Sequence, residues 1–234
     1  MIRLAAFITC SIFFSFPIHA EEAHSSVSLE AGYYGSDPIE VTETISIVSE
    51  GKLFKTGIAR AYSLYNLPNN PWWWLGSAPA IPESPQYRMN VISVTRDDIP
   101  TPWKTASYKS ILKLIMQTEN KLSPGVHTYA VKYDVYDSVR QSDEGQEFEL
   151  STGKWTPPAQ RSKITLKLSS TFRPEDISVS ARIFSYSSGK ARESPAITIS
   201  PGTDTSSRTY AIELNSPMDR SESLVAYVRL RQEN

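Results

Sequence analysis

The chain is nearly free of cysteine. Among its 234 residues the only cysteine is Cys10, which lies inside the first twenty residues. Beyond that point the chain cannot form a disulfide framework, use a thiol nucleophile or hold a cysteine-based zinc ion. A chain of this length buries about 70% of the surface that its unfolded form exposes, so burial alone can stabilise it.

Histidine is scarce as well, with three in the chain: His19, His24 and His127. We expect His24 to lie in a disordered N-terminus and interpret His127 as a strand-edge residue. The sequence contains neither an HExxH nor a GxSxG pattern, and one ordered histidine cannot build a histidine-rich metal site. We therefore expect no metal ion, no cofactor and no catalytic residue.

Neither sign of charge predominates. The chain has 24 Lys and Arg residues and 25 Asp and Glu residues, a formal net charge of −1. This balance lacks the basic footprint of a nucleic-acid-binding protein, so we expect no nucleic-acid partner. No apolar run after residue 20 reaches the ~20 residues that span a bilayer.

The first twenty residues have the features of an export signal. Arg3 supplies a positive charge, residues 4–16 form a mostly apolar run, and Ala20 is the small residue that signal peptidase requires. The run is shorter than the ~20 apolar residues of a membrane-spanning helix. We predict a signal peptide over residues 1–20, cleaved after Ala20, and a periplasmic or secreted protein.

The remaining chain shows the period-two alternation of β-strands. In residues 126–136, Tyr129, Val131, Tyr133 and Val135 alternate with smaller or polar residues, which predicts one buried and one solvated face. Residues 107–117 alternate in the same way. Pro124 and Gly125 form a turn signal between the two segments. We therefore expect the two segments to pair as antiparallel strands.

Similar short runs recur to the C-terminus. They begin near residues 41, 90, 164, 177, 197, 210 and 224 and are rich in Val, Ile, Thr and Tyr. A helical turn is plausible only at residues 174–176. This pattern predicts an all-β antiparallel sandwich of the Ig-like or Greek-key type. Trp155 and the two prolines after it suggest a boundary between one β lobe over 21–158 and a second, packed lobe over 159–234.

Five motifs follow one another in a recognisable order. They are Val41–Ile45, Gly57–Arg60, Val94–Asp97 with Pro100–Trp103, Leu122–Tyr129, and Ser151–Trp155. Together they resemble the N-terminal extracytoplasmic β-domain of the YciQ-like predicted bacterial membrane proteins, a family of unknown function. The resemblance covers residues 27–231 and suggests one family unit. Members usually continue into transmembrane helices, and the resemblance implies an envelope β-domain without known catalysis. We expect another envelope protein as the partner, and a membrane protein in trans is one candidate.

Some motif residues have a structural interpretation. Gly57 and Gly153 are interpreted as turns or bulges. Arg60 and Arg96 are expected to form ion pairs, with Asp97, Asp98, Asp143 and Glu144 as candidate partners. The structural motif residues are Gly57, Arg60, Arg96, Asp97, Pro124, Gly125, Tyr129, Gly153 and Trp155.

The unusual surface candidate is the run Trp72–Trp74, which is surrounded by prolines. Three consecutive tryptophans cannot share one side of a strand, and each can bury ~150–250 Å². The run either caps the sandwich or meets a partner.

Three functions remain open. The first is a non-catalytic domain that binds another envelope protein through Trp72, Trp73 and Trp74. The second is a carbohydrate-binding module that stacks glycans on Trp72, Trp73 or Trp103. The third is a hydrolase built on paired carboxylates such as Asp97, Asp98, Glu147 and Glu149. The first interpretation is preferred, because the exported scaffold lacks a recognisable catalytic set.

Overall fold

The computed structural model describes residues 23–231, except residues 53, 65–85, 118–119, 144, 154–158, 203–207 and 220. The predicted signal peptide with Ala20, the run Trp72–Trp74 and Trp155 lie outside the described residues. The strands of the described part are β1 (Ala23–Tyr33), β2 (Ile39–Ser49), β3 (Gly57–Ser63), β4 (Arg88–Arg96), β5 (Ile99–Pro100), β6 (Trp103–Tyr108), β7 (Ile111–Gln117), β8 (Gly125–Tyr136), β9 (Arg140–Ser142), β10 (Gly145–Ser151), β11 (Ser162–Leu168), β12 (Ile177–Ser185), β13 (Lys190–Arg192), β14 (Ile197–Pro201), β15 (Arg208–Leu214) and β16 (Glu222–Arg231). A 3-10 turn at Pro174–Asp176 confirms the expected helical turn.

The alternation seen in the sequence becomes the two faces of each strand. In β2, Ile45 and Ile47 are buried while Thr44 and Ser46 are partly exposed. In β8, Tyr129, Val131 and Tyr133 face the core in the same way. The period of two therefore identified the buried residues of these strands correctly.

One sheet has eight strands in the order β14-β15-β11-β1-β2-β8-β4-β5. Its described neighbours are antiparallel except β1 and β11, which pair in parallel with Leu29 opposite Ile164. The expectation of a disordered N-terminus at His24 is wrong, because β1 begins at Ala23 and its backbone pairs with β2. This strand lies in the middle of the sheet.

A second sheet has five strands in the order β13-β12-β16-β10-β9. Its inner face carries Phe148, Leu224 and Val228, which belong to the same buried cluster as the inner face of the large sheet. The rings of Tyr33 and Phe148 lie 5.2 Å apart, and the Tyr33 hydroxyl donates to Gln146 Oε1 at 3.0 Å. The two sheets thus enclose a common core, and the predicted all-β sandwich class is confirmed.

A third sheet has three strands in the order β3-β7-β6. Its inner face supplies Ile58, Tyr62, Leu114 and Met116 to the core. The predicted pairing of β7 with β8 is wrong: β7 pairs with β3 and β6, and β8 pairs with β2 and β4. The chain changes sheets between these consecutive strands, so the turn at Pro124 and Gly125 leads into a different sheet.

The segments on either side of residue 158 contribute to the same sheets. The strands β11, β14 and β15 join β1 and β2 in the eight-stranded sheet. The strands β12, β13 and β16 join β9 and β10 in the five-stranded sheet. Strand pairing thus connects residues before and after the proposed boundary.

Candidate functional site

A buried ion pair lies where the three-stranded sheet meets the large sheet. Glu43 points inward from β2, Arg60 points inward from β3, and both are buried. The Arg60 Nε donates to Glu43 Oε1 at 3.0 Å. An ion pair withdrawn from water in this way needs further hydrogen bonds to offset the cost of desolvation.

Arg60 obtains these hydrogen bonds from two carbonyl groups. Its Nη1 donates to the Ala61 carbonyl at 2.7 Å, and its Nη2 donates to the Thr152 carbonyl at 2.9 Å. Gly153 follows with a φ of 67°, and a Cβ at this position would collide with the guanidinium. Gly153 therefore allows the end of β10 to approach Arg60 closely.

Two tyrosines complete this cluster. The Tyr62 hydroxyl donates to Glu43 Oε2 at 2.8 Å, and the rings of Tyr62 and Tyr133 lie 5.3 Å apart. Burial, followed by the charge of Glu43, raises the pKa of Tyr62 well above its usual value, so its hydroxyl stays protonated. Burial opposes the charge on Arg60, but Glu43 and the tyrosines outweigh it, and the net effect raises the pKa of Arg60.

The cluster borders a cavity of about 90 Å³. Leu64 and Tyr87 line it, and the Gln86 amide donates to the Leu64 carbonyl at 2.7 Å. Each of the three guanidinium nitrogens of Arg60 already donates to an acceptor on a different segment, so the cluster joins the sheets.

The ion-pair predictions are met for one arginine only. Asp97, Asp98, Asp143 and Glu144 were the candidate partners of Arg60 and Arg96, and Glu144 lies outside the described residues. Arg60 pairs with Glu43, which was not among these candidates. Arg96 does lie near an expected partner, with its Nε 3.8 Å from Asp97 Oδ2. Glu43 belongs to the motif Val41–Ile45, and the alternation of β2 places it on the same face as the buried Val41 and Ile45.

His127 and Asp97 form a second polar contact. The buried His127 has Nδ1 2.9 Å from Asp97 Oδ2 and Nε2 2.9 Å from the Ser123 carbonyl. The Thr128 amide donates to Asp97 Oδ1 at 2.8 Å. His127 is the third residue of β8, where it lies opposite Ile47 of β2, and the register of β8 with β4 ends two residues further on at Tyr129.

The four carboxylates of the hydrolase hypothesis fall into two groups. Asp97 and Asp98 occupy the turn between β4 and β5 of the large sheet. Glu147 and Glu149 lie on β10 of the five-stranded sheet, where they pair with Arg229 and Arg140. The structure thus places the two pairs on different sheets.

The strand β6 is exposed along its whole length. It forms an edge of the three-stranded sheet, and all six of its residues are exposed. Trp103 is 40% exposed and Tyr108 is 68% exposed. An edge strand presents unpaired backbone groups to another chain, and aromatic side chains often anchor interfaces. Of the tryptophans proposed for binding, Trp103 is the one that the described residues include.

The outer face of the same sheet combines apolar and basic residues. The register with β7 places Lys104, Ala106 and Tyr108 beside Ile115, Lys113 and Ile111, respectively. On the same face, the register of β7 with β3 places Ile115 and Lys113 beside Ala59 and Ala61, respectively. The described residues on this face include two lysines and no carboxylate, so it is suited to an acidic, partly apolar partner.

A family comparison matches most of the chain. The model of the N-terminal domain of a predicted membrane protein family, DUF2207, matches residues 38–221. The chain belongs to this family. The match includes the Glu43–Arg60 pair and β6, although the DUF2207 domain has no assigned activity. No curated protein sequence matches the chain.

Solved structures are similar to this DUF2207 domain in fold. The native LTA4 hydrolase of yeast is 12% identical with a TM-score of 0.52, and the match covers 91% of this chain and 30% of that one. The M1 zinc metallopeptidase of Deinococcus radiodurans is 12% identical with a TM-score of 0.47, covering 88% and 42% respectively. The chain therefore spans less than half of either protein, and at this identity the likeness concerns the fold alone.

The described part of the chain contains neither a membrane-spanning helix nor a cluster of metal ligands. None of the described helical segments has the length and apolar character needed to cross a membrane. Within the same residues, no group of three or more His, Cys, Asp or Glu side chains could hold a metal ion.

Proposed function

We propose that this DUF2207 domain is an exported, non-catalytic domain of the cell envelope that binds another protein through β6. The exposure of β6 along the edge of the three-stranded sheet is the observation that carries the proposal. The narrower YciQ-like relationship would favour a membrane protein as the partner.

The edge and its side chains suit an added strand. A partner segment in extended conformation can pair with the backbone of β6, while alternate side chains give specificity. Trp103 and Tyr108 lie near the two ends of β6 and supply aromatic anchors. Lys104 and Lys113 favour a segment that carries acidic residues.

The same proposal includes Trp72, Trp73 and Trp74. Their placement lies outside the described residues, so the support for them comes from the sequence. Substitution of Trp73 by alanine measures their share of binding independently of β6.

Photo-crosslinking in intact cells tests the proposal at β6. A photoreactive phenylalanine analogue replaces Tyr108 in one variant and Tyr34, which is 56% exposed, in a matched control. We expect a discrete heavier adduct from position 108 and none from position 34. Adding Trp103→Ala should lower the yield of this adduct several-fold. Bare monomer at both positions, or equal adducts at both, would show that β6 is not the binding surface.

Glycan binding is the second candidate, because the Trp103 ring is 40% exposed. An exposed indole ring can stack against a sugar face. A glycan array and a cell-wall pull-down with wild type and Trp103→Ala distinguish the two functions. Signals that disappear in Trp103→Ala support glycan binding, and the lack of any signal in wild type removes it.

A further inference from the structure

The outer face of the five-stranded sheet carries a groove that the proposed function does not use. The groove has a volume of about 340 Å³, and its lining combines four arginines with two serines, a tyrosine, one carboxylate (Glu147) and two apolar residues. Its arginines are Arg140 on β9, Arg182 on β12, and Arg229 and Arg231 on β16. Ser178 and Ser180 lie between them on β12. We call these six residues the arginine groove.

The carboxylates on this face of the sheet neutralise only part of the positive charge of the arginines. Arg229 Nε lies 2.6 Å from Glu147 Oε1, and Arg140 Nη2 lies 3.4 Å from Glu149 Oε1. These contacts orient two of the four guanidinium groups of the groove.

The other two arginines are less well neutralised. Arg182 Nη2 lies 3.9 Å from Glu193, a contact between side chains that are 52% and 88% exposed. Arg231 is exposed and takes no part in the ion pairs that the described residues of this face form. Exposed pairs of this kind contribute little, so Arg182 and Arg231 remain available to an anion.

The register determines how far apart these charges lie. Arg182 is opposite Val225, Ser180 is opposite Tyr227, and Ser178 is opposite Arg229. Arg231 is therefore six residues along β16 from the position opposite Arg182, or about 20 Å at ~3.4 Å per residue. A single phosphate cannot contact both ends, but an extended molecule or a surface with several phosphates can.

We propose that the arginine groove binds two or more phosphate groups that are distributed along β16. Guanidinium groups form forked hydrogen bonds with phosphate oxygens, and Arg182 and Arg231 would hold the two ends. The hydroxyls of Ser178 and Ser180 would donate to the oxygens between them.

Tyr227 fits the same chemistry. It lies between the rows of Arg229 and Arg182, opposite Ser180. Burial, together with the charge of Glu149, raises its pKa to about 12, so its hydroxyl remains a hydrogen-bond donor at neutral pH. The groove thus presents donors along its length.

The phosphates can belong to a soluble polyphosphate or to neighbouring lipid headgroups, and two binding assays separate these sources. Calorimetry with the purified full chain uses inorganic polyphosphate long enough to span the groove, with orthophosphate for comparison. Co-sedimentation uses phosphatidylglycerol vesicles, with neutral phosphatidylcholine vesicles for comparison. The test variant is Arg182→Gln with Arg231→Gln. The control is Arg88→Gln with Arg173→Gln, which removes the same charge from residues that do not line the groove.

We expect the wild-type protein to bind polyphosphate, phosphatidylglycerol vesicles or both. The test variant should bind about tenfold more weakly or worse, which corresponds to the loss of at least one strong contact. The control should stay within about twofold of wild type, and orthophosphate should bind about tenfold more weakly than polyphosphate. Binding to polyphosphate identifies a soluble ligand, whereas binding only to the anionic vesicles identifies headgroups. Equal losses in both variants, or no binding in either assay, would overturn the proposal. Circular dichroism verifies that each variant is folded.

Discussion

Asp97 shows how one residue connects several parts of the chain. It lies in the turn after β4 with a φ of 51°, accepts a hydrogen bond from the Thr128 amide and contacts His127. Burial opposes its charge, but the contacts with His127, Thr128 and Arg96 prevail and lower its pKa from the usual 3.8. The folded state therefore stabilises the ionised carboxylate of Asp97 more than the unfolded state does.

This shift predicts a pH-dependent stability. Because the pKa of Asp97 is lower in the folded state, its ionisation stabilises the fold at pH values above the unfolded pKa of 3.8. This stabilisation is lost as the pH falls through the lower folded-state pKa. Because Asp97 is 42% exposed, solvent screening reduces the effect, and Asp97→Asn should lower the free energy of unfolding at pH 7 by about 0.5 kcal/mol. Urea titrations at pH 7 and pH 3 should show this difference shrinking at the lower pH. A difference that stays constant would contradict the assignment.

At the scale of elements, Arg60 attaches the three-stranded sheet to its neighbours. From β3 it reaches Glu43 on β2 and the carbonyl of Thr152 just beyond β10. One side chain thus joins elements of all three sheets. Its hydrogen bonds help to determine the position of β3 as well as offsetting the buried charge.

Removing one member of this pair should be costly. Arg60→Met leaves the buried Glu43 without its cation, so we expect a loss of about 3–5 kcal/mol in the free energy of unfolding. Combining it with Glu43→Leu should recover much of this loss, since no buried charge remains. Urea denaturation measures all three proteins.

A surface pair provides the matched control. Lys163 and Glu213 lie 2.7 Å apart but are 46% and 40% exposed. Glu213→Gln should cost less than about 1 kcal/mol. Equal costs for Arg60→Met and Glu213→Gln would show that the buried pair does not hold β3.

The sequence predicted several strands well and their pairing less well. The alternation of β7 and β8 identified their buried faces, yet these consecutive strands belong to different sheets. A turn signal shows that the chain reverses or bends, but it does not show which strand lies beside the next one. The pairing of Arg60 with Glu43 was not predicted, for a related reason. The two residues are 17 positions apart in the sequence, and only the approach of β2 and β3 brings them together.

For the whole molecule, the interleaved topology makes the two halves depend on each other. The strand β11 pairs with β1, and β12 and β10 both pair with β16. Residues 159–234 without the preceding segment would leave β11 and β16 each without one neighbouring strand, and apolar faces uncovered.

We therefore expect residues 159–234 alone to remain unfolded, whereas the full chain unfolds in one cooperative transition. Circular dichroism should show little β-structure in the isolated segment, and urea should produce no sigmoidal transition. The full chain, measured in the same buffer, is the positive control. A cooperative transition in the isolated segment would instead support an independent second lobe.

The amino-acid sequence by itself determined the all-β class and the buried face of most strands, because side-chain direction in a strand follows from the local period of two. The tertiary structure decided which strands are neighbours, that Glu43 faces Arg60, and that four arginines share one groove. These features depend on contacts between distant residues, and strands with similar alternation are interchangeable until the core packs.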